Sequence, residues 1–422
     1  MKTLKTLLFD WWQLARSSRA RPYLLITLLV DGAFAFVFLV AIQSYLPEQH
    51  GVSAAWPGYA LAAYGAAKLA AQLFAGRLID HAGRKQGLLF GLILILAGQA
   101  LLLPAASMPF AVFPAAAVYG TGAAVLWPAL FALASGSFDE SERARLTSAM
   151  MLTTGLALAA GLGLGFLLPP GFPYVAAAAL AFGVIGVAFV FAMRSRPEQA
   201  KADAATAPAK GSLRTVARDV LQPQRLTFSL IVLLQAVAAG ALLAVFRSYG
   251  RDFLGVSLRS EALILGPGAL TAAASVAVGG VLADRFGRGR VLTAGYLVAA
   301  PAFLVLASAK TPAVVAVVAM VAGLGLGVAL PSITATSMDL SHKAGQGTLL
   351  SWFMAVEGLG HAIGPALGGY VSDAGDVEAV LRLAGALFAL LALAALALSL
   401  ALAPRRAGAP QEVERVLAED GL

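Results

Sequence analysis

The segment Gly76-Arg77-Leu78-Ile79-Asp80-His81-Ala82-Gly83-Arg84-Lys85 joins two long apolar runs. It returns as Gly280-Val281-Leu282-Ala283-Asp284-Arg285-Phe286-Gly287-Arg288. Both copies read glycine, a hydrophobic pair, aspartate, a three-residue turn ending in glycine, then a basic residue. Asp80 and Asp284 lie 204 positions apart, almost half of the 422-residue chain. A polar hairpin used twice at matching places, each time between membrane-length apolar runs, makes this a duplicated membrane protein.

Composition agrees. Hydrophobic residues are 59% of the chain and charged residues 12%, against about 45–50% and about 25% in a soluble domain. Water cannot be the solvent for so much apolar surface. The first apolar run is too long, and followed by too many others, to be a cleavable leader. With no cysteine, disulfides and thiolate metal sites are excluded.

Twelve apolar segments follow one another near 22–46, 54–79, 87–106, 110–136, 145–168, 174–193, 226–247, 261–283, 291–309, 313–337, 347–371 and 379–402. Each has the roughly 20 residues that cross about 30 Å of hydrocarbon as a helix. The runs are continuous rather than alternating, which excludes a membrane-spanning strand barrel. The expected fold is therefore an all-α membrane protein of twelve transmembrane helices in two pseudo-symmetric six-helix bundles. Residues 1–21 place Trp11, Trp12 and several leucines at helical spacing among Lys2, Lys5 and Arg16, the pattern of a helix lying in the membrane interface. Residues 22–193 and 226–402 are the two bundles, 194–225 is a flexible polar linker, and 403–422 is a tail.

Charge sets the orientation. Of 30 Lys and Arg residues, 24 fall in the termini and the loops on their side. The other six are Lys68, Arg247, Arg251, Arg259, Lys310 and Arg382. Positive residues stay on the cytoplasmic side, so both termini are expected there, in the cytoplasmic (inner) membrane. The net charge of +8 follows from this rule and does not call for nucleic acid.

The duplication extends past the hairpin. Gly120, Gly122 and Pro128 repeat as Gly323, Gly325 and Pro331, and Gly155, Gly161 and Gly165 repeat as Gly358, Gly364 and Gly368. The hairpin, the twelve spans and the central linker together resemble the major facilitator superfamily over essentially the whole length. The second hairpin fits that family's signature well, and the first departs from it at His81. The resemblance implies two bundles rocking about a central cavity, a plan known among transporters. It also implies that Gly76, Asp80, Gly83 and Arg84, with Gly280, Asp284, Arg285, Gly287 and Arg288, form gating hairpins. Asp80 would then brace the start of span eleven near Gln346, Gly347 and Thr348, and Arg84 would meet an acidic partner such as Asp139. The pattern is most similar to twelve-span drug/proton antiporters, although span four lacks an intramembrane arginine and span five lacks the antiporter proline.

Ionisable residues deep in a span are costly and are functional by default. Four stand out: Asp31, Lys68, Glu357 and His361. Asp31 lies ten residues after Arg21 and Lys68 twelve before Asp80. At 1.5 Å per residue the two reach similar depths in neighbouring antiparallel helices, where they could pair. In the second half Asp31 becomes Gln235 and Lys68 becomes Ala272, so the charges are not a symmetric requirement of the fold. Glu357 and His361, four apart, share one helix face and could hold a proton near neutral pH. Asp31 or Glu357 is the expected proton carrier. Arg247 and Arg251, at the outer end of span seven, read as snorkelling anchors.

If the family layout holds, Phe34, Phe36, Phe38, Trp127 and Phe246 line the path, with Asp31, Gln43, Gln235, Ser332 and Thr334 as its sparse polar groups. That suits a lipophilic or amphiphilic solute. The expected function is a secondary active transporter, with proton-coupled export ahead of proton-coupled uptake of an organic metabolite or a lipid flippase, and a non-transporting sensor last. No nucleotide-binding loop, metal-ligand cluster or nucleophile–base set is visible, so neither an enzyme nor a cofactor is expected. The expected partners are a small-molecule substrate, protons and the lipid bilayer, with the chain a monomer. Asp80→Asn is expected to lower transport without loss of membrane insertion, and unchanged kinetics in reconstituted vesicles would remove the gating role.

Overall fold

The computed structural model describes residues 4–138, 140–164, 171–192, 220–342 and 346–402. A short helix, α1 (Leu4–Arg16), leads into twelve long ones. The first bundle is α2 (Arg21–His50), α3 (Trp56–Ala82), α4 (Arg84–Leu102), α5 (Val112–Ser137), α6 (Glu140–Leu164) and α7 (Phe172–Ala192). The second is α8 (Pro223–Phe253), α9 (Leu258–Phe286), α10 (Arg288–Leu306), α11 (Pro312–His342), α12 (Gln346–Asp373) and α13 (Val377–Leu402). Most of the linker and the whole tail read from the sequence lie outside the described residues.

These segments are helical because a bilayer leaves backbone polar groups no partner but each other. Among the described residues, eight helices are long and apolar enough to cross a membrane, or nine when α9, bent by 43° after Val276, counts as one. The helices that fall short are α7, of which Val175–Val187 qualifies as a shorter apolar helix, and α3 and α12. α3 and α12 carry Lys68, Gln72, Glu357 and His361 among their glycines, which lowers their apolar content. α2 widens into a π-helix over Ala35–Tyr45, and α8 does so over Tyr249–Phe253, so both halves carry an irregular outer end.

The halves repeat one packing scheme. In the first, α3 and α4 pack on α5, α2 packs on α6 and α7, and α4 packs on α7. In the second, α9 and α10 pack on α11, α8 packs on α12 and α13, and α10 packs on α13. Each half has its own apolar core. Phe36, Phe38, Leu88 and Leu92 lie in the first, and Phe228, Tyr296, Phe353 and Phe388 in the second. The hairpins sit between α3 and α4 and between α9 and α10. Gly83 (φ 92°) and Gly287 (φ 89°) adopt a backbone that a side chain would strain. Each closes one helix through its N–H and opens the next through its carbonyl.

Two helix pairs form the seam between the bundles, α3 with α12 and α6 with α9. Along α3 the stripe Gly58, Gly65, Leu69, Gln72 and Gly76 recurs at helical spacing. Gly58 meets Pro365 and Gly369, Gly65 meets the backbone of His361 and Ala362, and Leu69 and Gln72 meet Gly358. Gly76, next on the stripe, meets nothing. On the other pair Gly155 meets Ala273, and Gly280, seven residues on, meets nothing. At the end away from the hairpins, the Gln43 side chain of α2 donates to Leu243 O (2.5 Å) and accepts from Arg247 N (3.2 Å) of α8. Among the described residues the bundles are in contact from the far end to mid-depth, while Gly76 and Gly280 toward the hairpin end have no neighbour across the seam.

A methyl group at Gly65 would press on a backbone carbonyl that has no freedom to move. Gly65→Ala should destabilise the protein by about 1–3 kcal/mol. Gly163, which has open space around it, should accept Ala at no cost or gain up to about 1 kcal/mol. Thermal unfolding of the purified protein in detergent separates the two.

Candidate functional site

At mid-depth, where the seam changes from closed to open, five helices bring polar side chains together. α2 supplies Asp31, α3 supplies Tyr64 and Lys68, α5 supplies Tyr119, α6 supplies Thr154, and α12 supplies Glu357 and His361. Lys68 Nζ lies 3.6 Å from Glu357 Oε1, an ion pair across the seam. His361 Nδ1 lies 3.7 Å from the same oxygen. The Lys68 side chain is 11% exposed and that of Glu357 41%. Glu357 sits between Gly358, packed on α3, and Gly360, packed on α8, and keeps part of its side chain accessible.

Asp31 and Lys68 do reach the same depth, and each feels the other's charge. The ion pair, however, is made with Glu357 and not with Asp31. Asp31 is instead within hydrogen-bonding reach of Thr154, and its Oδ2 is buried without a hydrogen-bond partner. With His361 neutral, the cluster holds two carboxylates against one ammonium. One proton or one cationic group neutralises it. A charge left unbalanced in a low-dielectric interior is expensive, so the cluster is suited to taking up such a charge.

An aromatic wall adjoins Asp31 on the far side. The ring centroids of Phe34 and Phe38 are 4.7 Å apart, those of Phe38 and Tyr64 5.3 Å, and those of Phe38 and Tyr119 5.5 Å. Tyr119 donates its hydroxyl to Val30 O at 3.2 Å. Phe34 contacts the rings of Phe38, Tyr64 and Tyr119, and Phe38 is fully buried. Tyr64 and Tyr119 were not identified as site residues from the sequence. Tyr64 precedes Lys68 by one helical turn, and that spacing was the available signal.

Other expected residues are elsewhere. Gln235 accepts a hydrogen bond from Tyr296 inside the second bundle and does not join the cluster. Trp127, half-buried, packs near Phe131 at 6.2 Å on α5, and Phe246 is half-buried on α8. At the hairpins, Arg84 Nη1 donates to Ala132 O (3.0 Å) and Arg288 Nη1 to Ala335 O (2.7 Å). These symmetric bonds tie α4 to α5 and α10 to α11. Arg288 also pairs with Asp339, Arg285 covers Phe286, and Asp284 is exposed. The side chains of Asp80, Asp139 and Gln346 to Thr348 lie outside the described residues, and so do the contacts expected among them.

Arg247 is not the snorkelling anchor that its position in the sequence suggests. Its side chain is 6% exposed and pairs with the fully buried Glu261 at 2.8 Å. It is held inward because Gly250 leaves room for the Glu261 carboxylate against the helix backbone.

A family model described as Major Facilitator Superfamily matches residues 24–283 and 254–419. No curated protein is similar enough in sequence to count as a relative. Among solved structures, the human organic anion transporter MFSD10 (TETRAN) superposes with a TM-score of 0.68 at 16% identity, covering 90% of this chain and 99% of that one. The nucleoside transporter NupG superposes with a TM-score of 0.67 at 14% identity, covering 90% and 98%. At these identities the likeness is one of fold.

Neutralising one member of the cross-seam pair should expose the uneven charge of the cluster. Lys68→Gln leaves Asp31 and Glu357 as two carboxylates without a cation and should cost about 1–3 kcal/mol. Glu357→Gln leaves the Lys68 ammonium with Asp31 as its remaining counter-charge and should cost less. The double variant should recover part of the loss, as a double-mutant cycle on thermal unfolding would show.

Proposed function

The chain belongs to the major facilitator superfamily, and on that premise we propose that it is a proton-coupled exporter of a small lipophilic or amphiphilic organic solute. Members of this family are secondary transporters that work by alternating access, so the energy source is an ion or solute gradient. The observation that carries the proton reading is the uneven charge of the mid-depth cluster. A half-buried Asp31 whose Oδ2 is enclosed and unsatisfied stands beside a Lys68–Glu357 pair that bridges the two bundles.

In this scheme Asp31 or Glu357 binds the coupling proton. A proton on Glu357 weakens its hold on Lys68 and loosens the seam at mid-depth. A proton on Asp31 removes the surplus negative charge, so the protonated state and a cation-bound state have the same net charge. Each ligand then competes with the other, which is the thermodynamic requirement for exchange. The aromatic wall of Phe34, Tyr64 and Tyr119 offers an apolar surface for the rest of the solute. An organic anion, the substrate class of one structural neighbour, would find Lys68 already occupied by Glu357, and its binding would require that carboxylate to be protonated first.

The excess of positive residues on the hairpin side supports a cytoplasmic position for that side. Both termini then lie inside, the membrane is the inner one, and the chamber opens to the cytoplasm, ready to load an exported solute. The chain acts as a monomer, since each copy carries both bundles and a complete cluster.

Counterflow in proteoliposomes under an imposed pH gradient tests the proposal, with lipophilic dyes, cationic compounds and fluorescent lipids as cargo. Accumulation against the proton gradient supports export, and accumulation with it supports uptake. Asp31→Asn or Glu357→Gln should remove the pH dependence and slow coupled transport about tenfold, equivalent to about 1.4 kcal/mol. If both variants transport with undiminished pH dependence, the proton assignment is wrong.

A further inference from the structure

The far end of the seam holds a second ionic cluster that the proposed transport chemistry does not use. Arg247 of α8 is its centre. Its Nη1 lies 2.8 Å from Oε2 of Glu261 on α9 and donates to Val256 O at 3.2 Å. Its Nη2 lies 3.8 Å from Oε1 of Glu48, at the end of α2 in the other bundle. Glu261 is fully buried and Glu48 is 49% exposed. The arginine therefore has one tight partner within its own bundle and one looser, wetter partner across the seam. Gln43 of α2 adds two hydrogen bonds to the α8 backbone at Leu243 and Arg247.

We propose that Arg247 is the latch of the far-end gate, with Glu261 its permanent partner and Glu48 its releasable one. Opening the far end requires the bundles to part there, which breaks the Glu48 contact and the Gln43 bonds. A buried guanidinium stripped of every counter-charge would make that step very costly. Glu261 removes the difficulty, since it travels with Arg247 in the same bundle and keeps the charge balanced in both states. Gly250 is part of the device, because a side chain there would occupy the place of the Glu261 carboxylate. The other charged or titratable groups facing the cluster are Arg251, which is bonded to Asp252 at 2.7 Å, and the neutral phenol of Tyr45, which feels both Glu48 and Arg247.

Two carboxylates share one arginine, yet neutralising them should move the gate in opposite directions, which ordinary destabilisation would not produce. Glu48→Gln removes the cross-seam attraction and favours the open far end. Glu261→Gln leaves Arg247 dependent on Glu48 and favours the closed far end.

The chain has no cysteine, so spin labels can be placed at Ser107→Cys and Ser308→Cys, in the far-end loops of the first and second bundles. Electron-electron distance measurements on the full-length protein in detergent or nanodiscs then report the ratio of long to short separations. Glu48→Gln should raise that ratio about two- to fivefold, the range for a half-exposed pair. Glu261→Gln should lower it about tenfold. Any other pattern overturns the latch, including a shift of both variants in one direction or no shift with Glu48→Gln. Glu48 is half-exposed, so its variant tests the latch even if Glu261→Gln fails to fold. The inference rests on the alternating-access reading, but the measurement needs neither substrate nor a proton gradient. Failure of the proton assignment at Asp31 and Glu357 would leave it standing.

Discussion

Backbone-to-backbone approach along the seam is the constraint on which the rest depends. Lipid gives helices no hydrophobic reason to associate, so close packing through small residues must do it. Gly58 and Gly65 of α3 and Gly358 and Gly369 of α12 let two helices from different bundles approach closely, in places backbone to backbone. A contact of this kind has few interlocking parts. It can hold the bundles together and still let one roll on the other, which a seam of interdigitated leucines would resist.

Charge is placed where that rolling can be controlled. One cluster sits at the mid-depth boundary between the closed and open parts of the seam, and another sits at the closed far end. Each contains a basic residue that reaches a carboxylate in the opposite bundle, Lys68 to Glu357 and Arg247 to Glu48. The mid-depth pair leaves its glutamate partly exposed, where the proposed transport scheme brings solute and proton. The far-end arginine is anchored to a carboxylate in its own bundle and is shielded from solvent. Under the two proposals the clusters respond to different events, ligand entry at one and separation of the far end at the other.

Symmetry explains what is shared between the halves, and its failure marks what is specialised. Arg84 and Arg288 make equivalent bonds to the ends of α5 and α11, because both halves need a rigid hairpin. Gln43 and Arg247 occupy equivalent positions but face each other across the seam. Asp31 and its mate Gln235 have diverged fully. The first is in the polar cluster and the second is bonded to Tyr296 in a packed core. Duplication preserves the packing faces, while the faces toward the chamber are free to differ.

The sequence by itself determined the helices, the duplication, the glycine turns of the hairpins and the depth of Asp31, Lys68, Glu357 and His361. All of these follow from local periodicity and the length of a bilayer-crossing helix. The seam stripe on α3 was present in its glycine spacing, and only the hairpin member failed to find a neighbour. Tertiary structure alone decided which charge meets which. Depth along a helix is fixed by residue number, but azimuth relative to distant helices is fixed by packing. Lys68 could therefore be placed level with Asp31 and still turn to Glu357, nearly three hundred residues away. The same limit hid Tyr64 among apolar neighbours and made Arg247 look like a membrane anchor, since its partner Glu261 is brought to it only by the fold.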